Sequence, residues 1–332
     1  MNDDAKILSI SDLSVDFRTP RGRLHALRQV NFSVPTGTTV GVVGESGCGK
    51  STLINAIIGL LSGNAEVTSG RIVLEGDDLL GLSEARMRRE IRGKRIAMIF
   101  QDPMTSLNPV LSIGRQMCDI QFRERYGRAE KRRRAAGMLE RVGIPDAEKR
   151  LDQYPHQFSG GMRQRIAIAM AMLAKPDLLI ADEPTTALDA TLEVQIMNLL
   201  TELQQETGCA ILFISHHLGV IAELCREMVV MYAGEVVEAG PVERVFTSPA
   251  HPYTEKLLEC DPGRLREVTR NLPTVPGELP DLTRLPGGCI FTDRCPYAWE
   301  RCRSETPGYH QLDEGQYAAC HRLDVKERET AG

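Results

Sequence analysis

Residues 44–52, Gly44-Glu45-Ser46-Gly47-Cys48-Gly49-Lys50-Ser51-Thr52, have the pattern G-x-x-x-x-G-K-S. The β-branched run Thr39-Val40-Gly41-Val42-Val43 precedes them, and a helix-like run from Leu53 to Leu61 follows. Strand, glycine loop and helix is the context in which this pattern holds a nucleoside triphosphate. The glycines let backbone N–H groups converge on phosphate oxygens, and the new helix adds partial positive charge at its N-terminus. Lys50 is expected to reach the β- and γ-phosphates, and Ser51 to offer a hydroxyl to Mg²⁺.

The rest of the chain supplies an α/β frame for that loop. Strands are predicted over 7–17, 24–34 and 38–43, with Pro35-Thr36-Gly37 as a turn. A helix follows over 50–61, then a strand at Arg71–Glu75, a helix capped by Ser83 and a short strand over 95–100. From Met104 to about Leu173 the pattern turns helical, broken by the loop Tyr154–Gly161, with a helix opening at Met162. Strand 177–181, helix 190–206, strand 210–214, a helix from Leu218 and the strand pair 227–232 and 235–239 complete the alternation. Strands alternating with helices at both ends imply a mainly parallel sheet, with the helical block as an insertion. After Pro249 the periodicity fades, and Pro273, Pro276, Pro280 and Pro286 punctuate the chain. Residues 1–249 therefore read as one nucleotide-binding domain, with its helical part at about 104–173. Residues 250–332 read as an appended C-terminal module entered through 261–286.

No global basic field points to nucleic acid: the 332 residues carry a net charge of −5. The locally basic run Arg123–Arg134 reads as a solvated helix face. The acidic start Met1-Asn2-Asp3-Asp4 is not a signal peptide, and no apolar run nears the ~18 residues of a membrane span. A chain of this kind is expected to be soluble by itself, and to meet a membrane only through a partner. Without a signal peptide its nine cysteines are expected to be reduced.

Asp177-Leu178-Leu179-Ile180-Ala181-Asp182-Glu183 is an apolar strand ending in two carboxylates. A carboxylate there helps to hold Mg²⁺ in phosphate-loop proteins, which fits Asp182. Glu183 then suits a general base for the attacking water. His216, ending the strand Ile211–Ile214, is a candidate hydrogen-bond donor to the γ-phosphate. Gln101, ending the strand Ile96–Phe100, is a candidate contact for Mg²⁺ or for the lytic water.

Phe158-Ser159-Gly160-Gly161-Met162 resembles the signature motif of ATP-binding cassette proteins. The resemblance covers residues 5–250. Phosphate loop 44–52, Gln101, signature 158–162, strand 178–183, Ala187-Leu188-Asp189 and His216 all occur in the family's order. It implies a phosphate-loop cassette: a mixed sheet core with an antiparallel β subdomain and an inserted α-helical subdomain. It also implies ATP as substrate, hydrolysed with Mg²⁺, and Phe17 as the ring stacking on adenine. Ser159, Gly160 and Gly161 would then face the γ-phosphate held by an opposite cassette, so the chain must pair with itself or a sister chain. Met104–Asn108 would begin the region that receives a partner's coupling helix. Two departures stand out: Met162 replaces the family's usual glutamine, as in many peptide-importer relatives, and His217 replaces the aspartate after the switch histidine.

The stretches Gln101–Pro109, Tyr154-Pro155-His156-Gln157 and His251-Pro252-Tyr253-Thr254 are similar to the oligopeptide/dipeptide importer ATPases. So is the tail around Gly288–Ala298 with Cys302 and Cys320. Cys289, Cys295, Cys302 and Cys320 are spaced C-x₅-C-x₆-C-x₁₇-C. Four thiolates suit iron–sulfur or zinc. The spacing lacks the short C-x₂-C knuckle of structural zinc, and Cys295-Pro296 echoes cluster-binding loops. Four reduced thiols in a small core is the plain alternative. Resemblance to cluster-bearing relatives implies a [4Fe–4S] cluster. It further implies an ATPase peripheral to the cytoplasmic face of a bacterial inner membrane, powering import of peptides or related solutes. Two transmembrane permease subunits, a second cassette and a periplasmic solute-binding protein are the implied partners. A soluble cassette ATPase acting on nucleic acid or the ribosome is the competing class. Such chains usually carry tandem cassettes, coiled-coil arms or zinc insertions, which this sequence lacks.

Overall fold

The computed structural model describes residues 5–102, 106–186, 189–261 and 274–324. Met1–Asp4, Met104, Ala187, Leu188 and residues 262–273 of the expected module entry lie outside them.

In chain order, β1 (Lys6–Thr19), β2 (Gly22–Pro35) and β3 (Thr39–Val43) lead through the glycine loop into α1 (Lys50–Ile57). Next come β4 (Ala65–Leu74), β5 (Asp77–Asp78), α2 (Glu84–Arg86) and β6 (Ile96–Ile99). The helical block holds α3 (Ile113–Ile120), α4 (Arg128–Arg141), α5 (Ala147–Arg150) and α6 (Gly160–Leu173). After it run β7 (Leu178–Asp182), α7 (Ala190–Thr207), β8 (Ala210–Ile214), α8 (Leu218–Leu224), β9 (Glu227–Tyr232) and β10 (Glu235–Pro241). The C-terminal part contributes α9 (Val242–Thr247), α10 (Pro252–Glu259), α11 (Glu300–Ser304), β11 (Tyr309–Gln311) and β12 (Tyr317–Ala319).

These elements form two compact units. The helical unit comprises Ser83–Phe213 with Pro35–Thr38. Its strands run in the order β8-β7-β6, and β6 pairs with β7 in parallel. The core of β7 and all of β8 are buried, as continuous apolar runs in a parallel sheet should be. Local capping sets its helices. Ser112 Oγ accepts from Arg115 N–H at 3.3 Å, and Asp189 Oδ1 accepts from Leu192 N–H at 2.9 Å. Gly208, at φ 69°, ends α7 in the left-handed conformation that glycine adopts without penalty. The basic run is used inside this unit. Arg132 grips Asp152 with bonds of 2.8 and 2.7 Å, and Arg134 stacks on Tyr126 at 4.6 Å.

The phosphate-loop unit comprises Lys6–Val34, Thr39–Leu82 and the described chain from Ile214 onward. One sheet runs β2-β1-β4-β5, with β1 and β4 antiparallel. The other runs β11-β12-β10-β9-β3. Its β3–β9 pair is parallel, and β9–β10, β10–β12 and β11–β12 are antiparallel. The sheet is thus more mixed than strand–helix alternation predicts. The short β11 and β12 carry no periodicity, yet β12 pairs Ala318 with Glu238 of β10.

Three local differences from the sequence reading have clear causes. β4 begins at Ala65 instead of Arg71 because Ala65 pairs with Phe17 across the sheet. The helix after Ser83 becomes a wider π turn at Met87–Ile91. α6 opens at Gly160, not Met162, because Ser159 Oγ accepts the Met162 N–H at 3.3 Å and so acts as N-cap.

Candidate nucleotide site

In the phosphate-loop unit, fully buried β3 delivers the chain to Gly44. Gly44 has φ 153°, and a Cβ there would lie 2.2 Å from the Met231 carbonyl oxygen. Gly49 has φ 108°, and a Cβ there would lie 2.9 Å from the Ala26 carbonyl oxygen. No other residue fits either position. Gly49 is also the N-cap of α1 and supplies no side-chain cap, an arrangement that suits a bound anion. Ser46, Gly47 and Ser51 are exposed, and Thr52 is half-buried. Lys50 is buried, its Nζ donating to the Gly44 carbonyl at 2.5 Å and the Glu45 carbonyl at 3.2 Å. Cys48 is fully buried beneath the loop, and burial pushes its thiol pKa up. It therefore packs as a small neutral side chain.

Phe17 is half-buried near the end of β1, beside Asp16, which accepts from His25 Nδ1–H at 2.8 Å. His216 and His217 are both exposed just past β8, their rings edge to face at 4.7 Å. Ser215 anchors that turn: its N–H donates to the Val42 carbonyl at 3.2 Å, and its Oγ accepts from His217 N–H at 2.9 Å.

In the helical unit, Asp182 and Glu183 end β7, both partly buried. Gln101 Nε2 donates to Glu183 Oε2 at 2.9 Å, and Thr186 Oγ1 donates to the same oxygen at 3.0 Å. The two residues singled out separately in the sequence are therefore a bonded pair. That bond uses the amide's donor and leaves the Gln101 carbonyl oxygen as the atom suited to a cation. Glu183 has φ 44° and precedes Pro184. A left-handed glutamate costs about 1–2 kcal/mol, a local strain of the kind that gathers at functional positions. Ser159 and Gly160 are exposed at the start of α6. Gly161 is buried, and a Cβ there would meet Leu192 Cδ1 at 3.0 Å. Only Gly160 offers its bare backbone outward; Gly161 serves packing inside the unit. Asp189 caps α7.

Cys289, Cys295, Cys302 and Cys320 line one small cavity of about 10 Å³ in the phosphate-loop unit, with His251 and Phe291 in its wall. Burial raises the thiol pKa of Cys289 to about 12 and of Cys320 to about 11, and that of Cys295 also rises. Among the described residues, no group of three or more His, Cys, Asp or Glu is arranged to hold a metal ion. The predicted convergence of the four cysteines is present; a ligand shell around a cluster is not.

Arg294 lies within the Gly288–Ala298 stretch that resembles the importer ATPases, but nothing in the sequence alone gives it a role. It is 7% exposed and forms a bidentate pair with Glu45 of the phosphate loop, at 2.7 and 3.0 Å. The signals for it in the sequence are its place in that stretch beside a clustered cysteine and an acid at the loop's second position.

Residues 27–186 match the model of the ABC transporter family, and residues 237–302 match that of the oligopeptide/dipeptide transporter C-terminal region. The chain is 48% identical over 318 residues to a probable peptide ABC transporter ATP-binding protein of Sinorhizobium fredii, covering 95% of each. This chain is an ABC transporter ATP-binding subunit of the oligopeptide/dipeptide family. It is likewise similar to the oligopeptide transport ATP-binding protein OppD of Haemophilus influenzae, at 46% identity over 95% of this chain and 96% of that one. To the dipeptide transport ATP-binding protein DppD of Escherichia coli it is 45% identical, with the same coverage. Among solved structures, the dimeric post-hydrolysis state of the cassette MJ0796 bound to ADP and Pi superposes with a TM-score of 0.64 and 27% identity. That likeness covers 71% of this chain and 98% of that one. The fold is the ABC cassette, with its antiparallel β subdomain and mixed sheet core, and the chain is an ATPase whose hydrolysis is coupled to transport. Among the described residues no helix is long and apolar enough to cross a membrane.

Proposed function

We propose that this ABC ATPase powers the import of peptides or closely related solutes across a bacterial inner membrane, docked on its cytoplasmic face. The match of residues 237–302 to the oligopeptide/dipeptide C-terminal region carries this reading, because a generic cassette has no such segment. Two permease subunits, a second cassette and a periplasmic solute-binding protein complete the machine. Residues 1–249 are the nucleotide-binding domain and 250–332 the transporter-specific extension.

Each site residue then has a task. Phe17 stacks on adenine. Gly44, Ser46, Gly47, Cys48, Gly49 and Thr52 present loop and helix N–H groups to phosphate oxygens. Lys50 exchanges the Gly44 and Glu45 carbonyls for β- and γ-phosphate oxygens. Ser51, Asp182 and Gln101 would hold Mg²⁺, which would neutralise charge on those oxygens. Glu183 takes the proton of the attacking water, and its bond from Gln101 fixes the carboxylate that does so. His216 donates to the γ-phosphate and so registers its presence. Ser159 and Gly160 close on the γ-phosphate of the opposite cassette, with Gly161 packed behind them against Leu192.

The four cysteines are proposed to hold a [4Fe–4S] cluster that cross-links a loop-rich module, with no redox step assigned to it. Their shared cavity supports this; ligation would require the thiols to lose their protons, and the small volume would require them to move outward. Co-expression with candidate permeases, membrane co-purification and peptide-stimulated ATPase assays test the transport reading. A cassette that neither binds a permease nor responds to peptide contradicts it. Stoichiometric iron and acid-labile sulfide after anaerobic purification is the expected analysis. Zinc, or no metal, overturns the cluster.

A further inference from the structure

We propose that Arg294 is a positioning residue for the phosphate loop, through which the cysteine-bearing segment sets ATP affinity. The proposal rests on residues 44–52 being the triphosphate site.

Every N–H of the buried guanidinium is committed. Its two terminal nitrogens take the two carboxylate oxygens of Glu45 at 2.7 and 3.0 Å. The remaining bonds go to Tyr232 Oη at 3.3 Å, the Pro276 carbonyl at 2.8 Å and the Val275 carbonyl at 3.0 Å. Five donors on five acceptors fix one orientation, which a lysine has too few donors to reproduce. Glu45 is held a second time, by its backbone: its N–H donates to Tyr253 Oη at 3.0 Å. Tyr232, Tyr253 and Phe291 are fully buried around this joint, with ring centroids 4.6–5.5 Å apart.

Glu45 matters because its carbonyl oxygen helps to shape the loop. It accepts from Cys48 N–H at 3.2 Å and from Lys50 Nζ at 3.2 Å. Residue 45 therefore has its side chain, N–H and carbonyl each bonded, within a loop whose neighbours Ser46 and Gly47 are exposed. The same segment touches the loop again at Leu279, whose Cδ1 lies 3.6 Å from where a Gly47 Cβ would stand. It also accepts from His25 N–H at the Leu282 carbonyl, at 3.0 Å. Arg294 in turn closes the short turn Thr292–Arg294, between Phe291 and Cys295 of the cysteine cavity wall. Loosening that turn frees Glu45, and a free Glu45 leaves a carboxylate beside a site that must accept a triphosphate.

The test uses the full chain and MgATP. Arg294→Ala, Arg294→Lys, Glu45→Gln and the double variant Arg294→Ala/Glu45→Gln are compared, with Lys50→Ala as a reference for loss of the loop. Arg294→Ala is expected to raise KM for ATP about tenfold while kcat changes less than about threefold, as expected for losing a charge-assisted bidentate pair. Arg294→Lys should recover only part of the affinity. The double variant should bind no worse than Arg294→Ala, since the two residues act through one joint. Glu45→Gln leaves the Arg294 turn its other acceptors, so it reads the joint even if Arg294→Ala fails to fold. An unchanged KM in Glu45→Gln and in folded Arg294→Ala overturns the proposal, as do losses that add in the double variant. If Lys50→Ala also leaves ATP binding intact, the triphosphate reading of the loop falls with it.

Discussion

The two units build their candidate site residues from opposite materials. The phosphate-loop unit works with backbone: glycines at 44 and 49 with positive φ, an uncapped helix start, and carbonyls that hold Lys50. The helical unit works with side chains: Gln101 and Thr186 on the Glu183 carboxylate, and Ser159 at a helix cap. A backbone site depends first on how its residues bend and second on what they carry. A side-chain site is the reverse. Damage to the first should appear in binding, and damage to the second in rate.

The largest effect expected is in rate. Glu183→Gln should cut turnover by roughly 10²–10⁴ while ATP binding persists, as for loss of a general base. Single-turnover hydrolysis alongside equilibrium nucleotide binding checks this, and surviving turnover would show that Glu183 is not the base. Gly49→Ala should do the opposite and weaken ATP binding by about tenfold or more, because alanine at φ 108° carries strain of about 1–3 kcal/mol and strikes a backbone oxygen. Unaltered affinity in a folded Gly49→Ala protein would break the comparison.

The signature glycines divide the same way on a smaller scale. Gly161→Ala makes Leu192 give by a few tenths of an ångström, a cost that alanine's helix propensity partly offsets, so stability in chemical denaturation should fall by no more than about 1 kcal/mol. Gly160→Ala has nothing within 4 Å of the added carbon, so stability should stay within about 0.5 kcal/mol. Equal destabilisation by both would contradict the assignment of packing to Gly161 alone.

The smallest effect is a pH slope inside the phosphate-loop unit. Buried Glu238 accepts from Ala250 N–H, His251 N–H and Gln316 Nε2, yet desolvation raises its pKa. The folded state then keeps the proton to higher pH than the unfolded state does. This group's contribution is full below the ordinary carboxylate range and is lost as pH rises through the raised value. Glu238→Gln should flatten that part of the stability–pH curve, measured by denaturant midpoint. An unchanged curve would mean that Glu238 ionises alike in both states.

The backbone half was the more legible from sequence. A glycine pattern after a β-branched run announces its own geometry, and the apolar runs 178–181 and 210–214 could only be buried strands. The side-chain half was legible as residue types but not as partnerships. Nothing in the spacing of Gln101 and Glu183 says that they bond, because the sheet that joins them is long-range. Local chemistry decided small errors as well: Ser159 starts α6 two residues before the apolar pattern does. The C-terminal part was least legible. β11 and β12 are three residues each, too short for any period to show, and Arg294 draws its meaning from Glu45, 249 positions away.

The pairing of β12 with β10 has a practical consequence for anyone shortening this chain. A cassette cut where the helix–strand alternation stops would keep β10 but lose the strand that covers its outer side. The uncovered edge of β10, where β12 pairs with Glu238 and Ala239, would present unpaired N–H and C=O groups, a template for edge-to-edge joining of molecules. The last described stretch of the chain is thus also a guard against self-association, and a trimmed cassette should be judged first by its solubility.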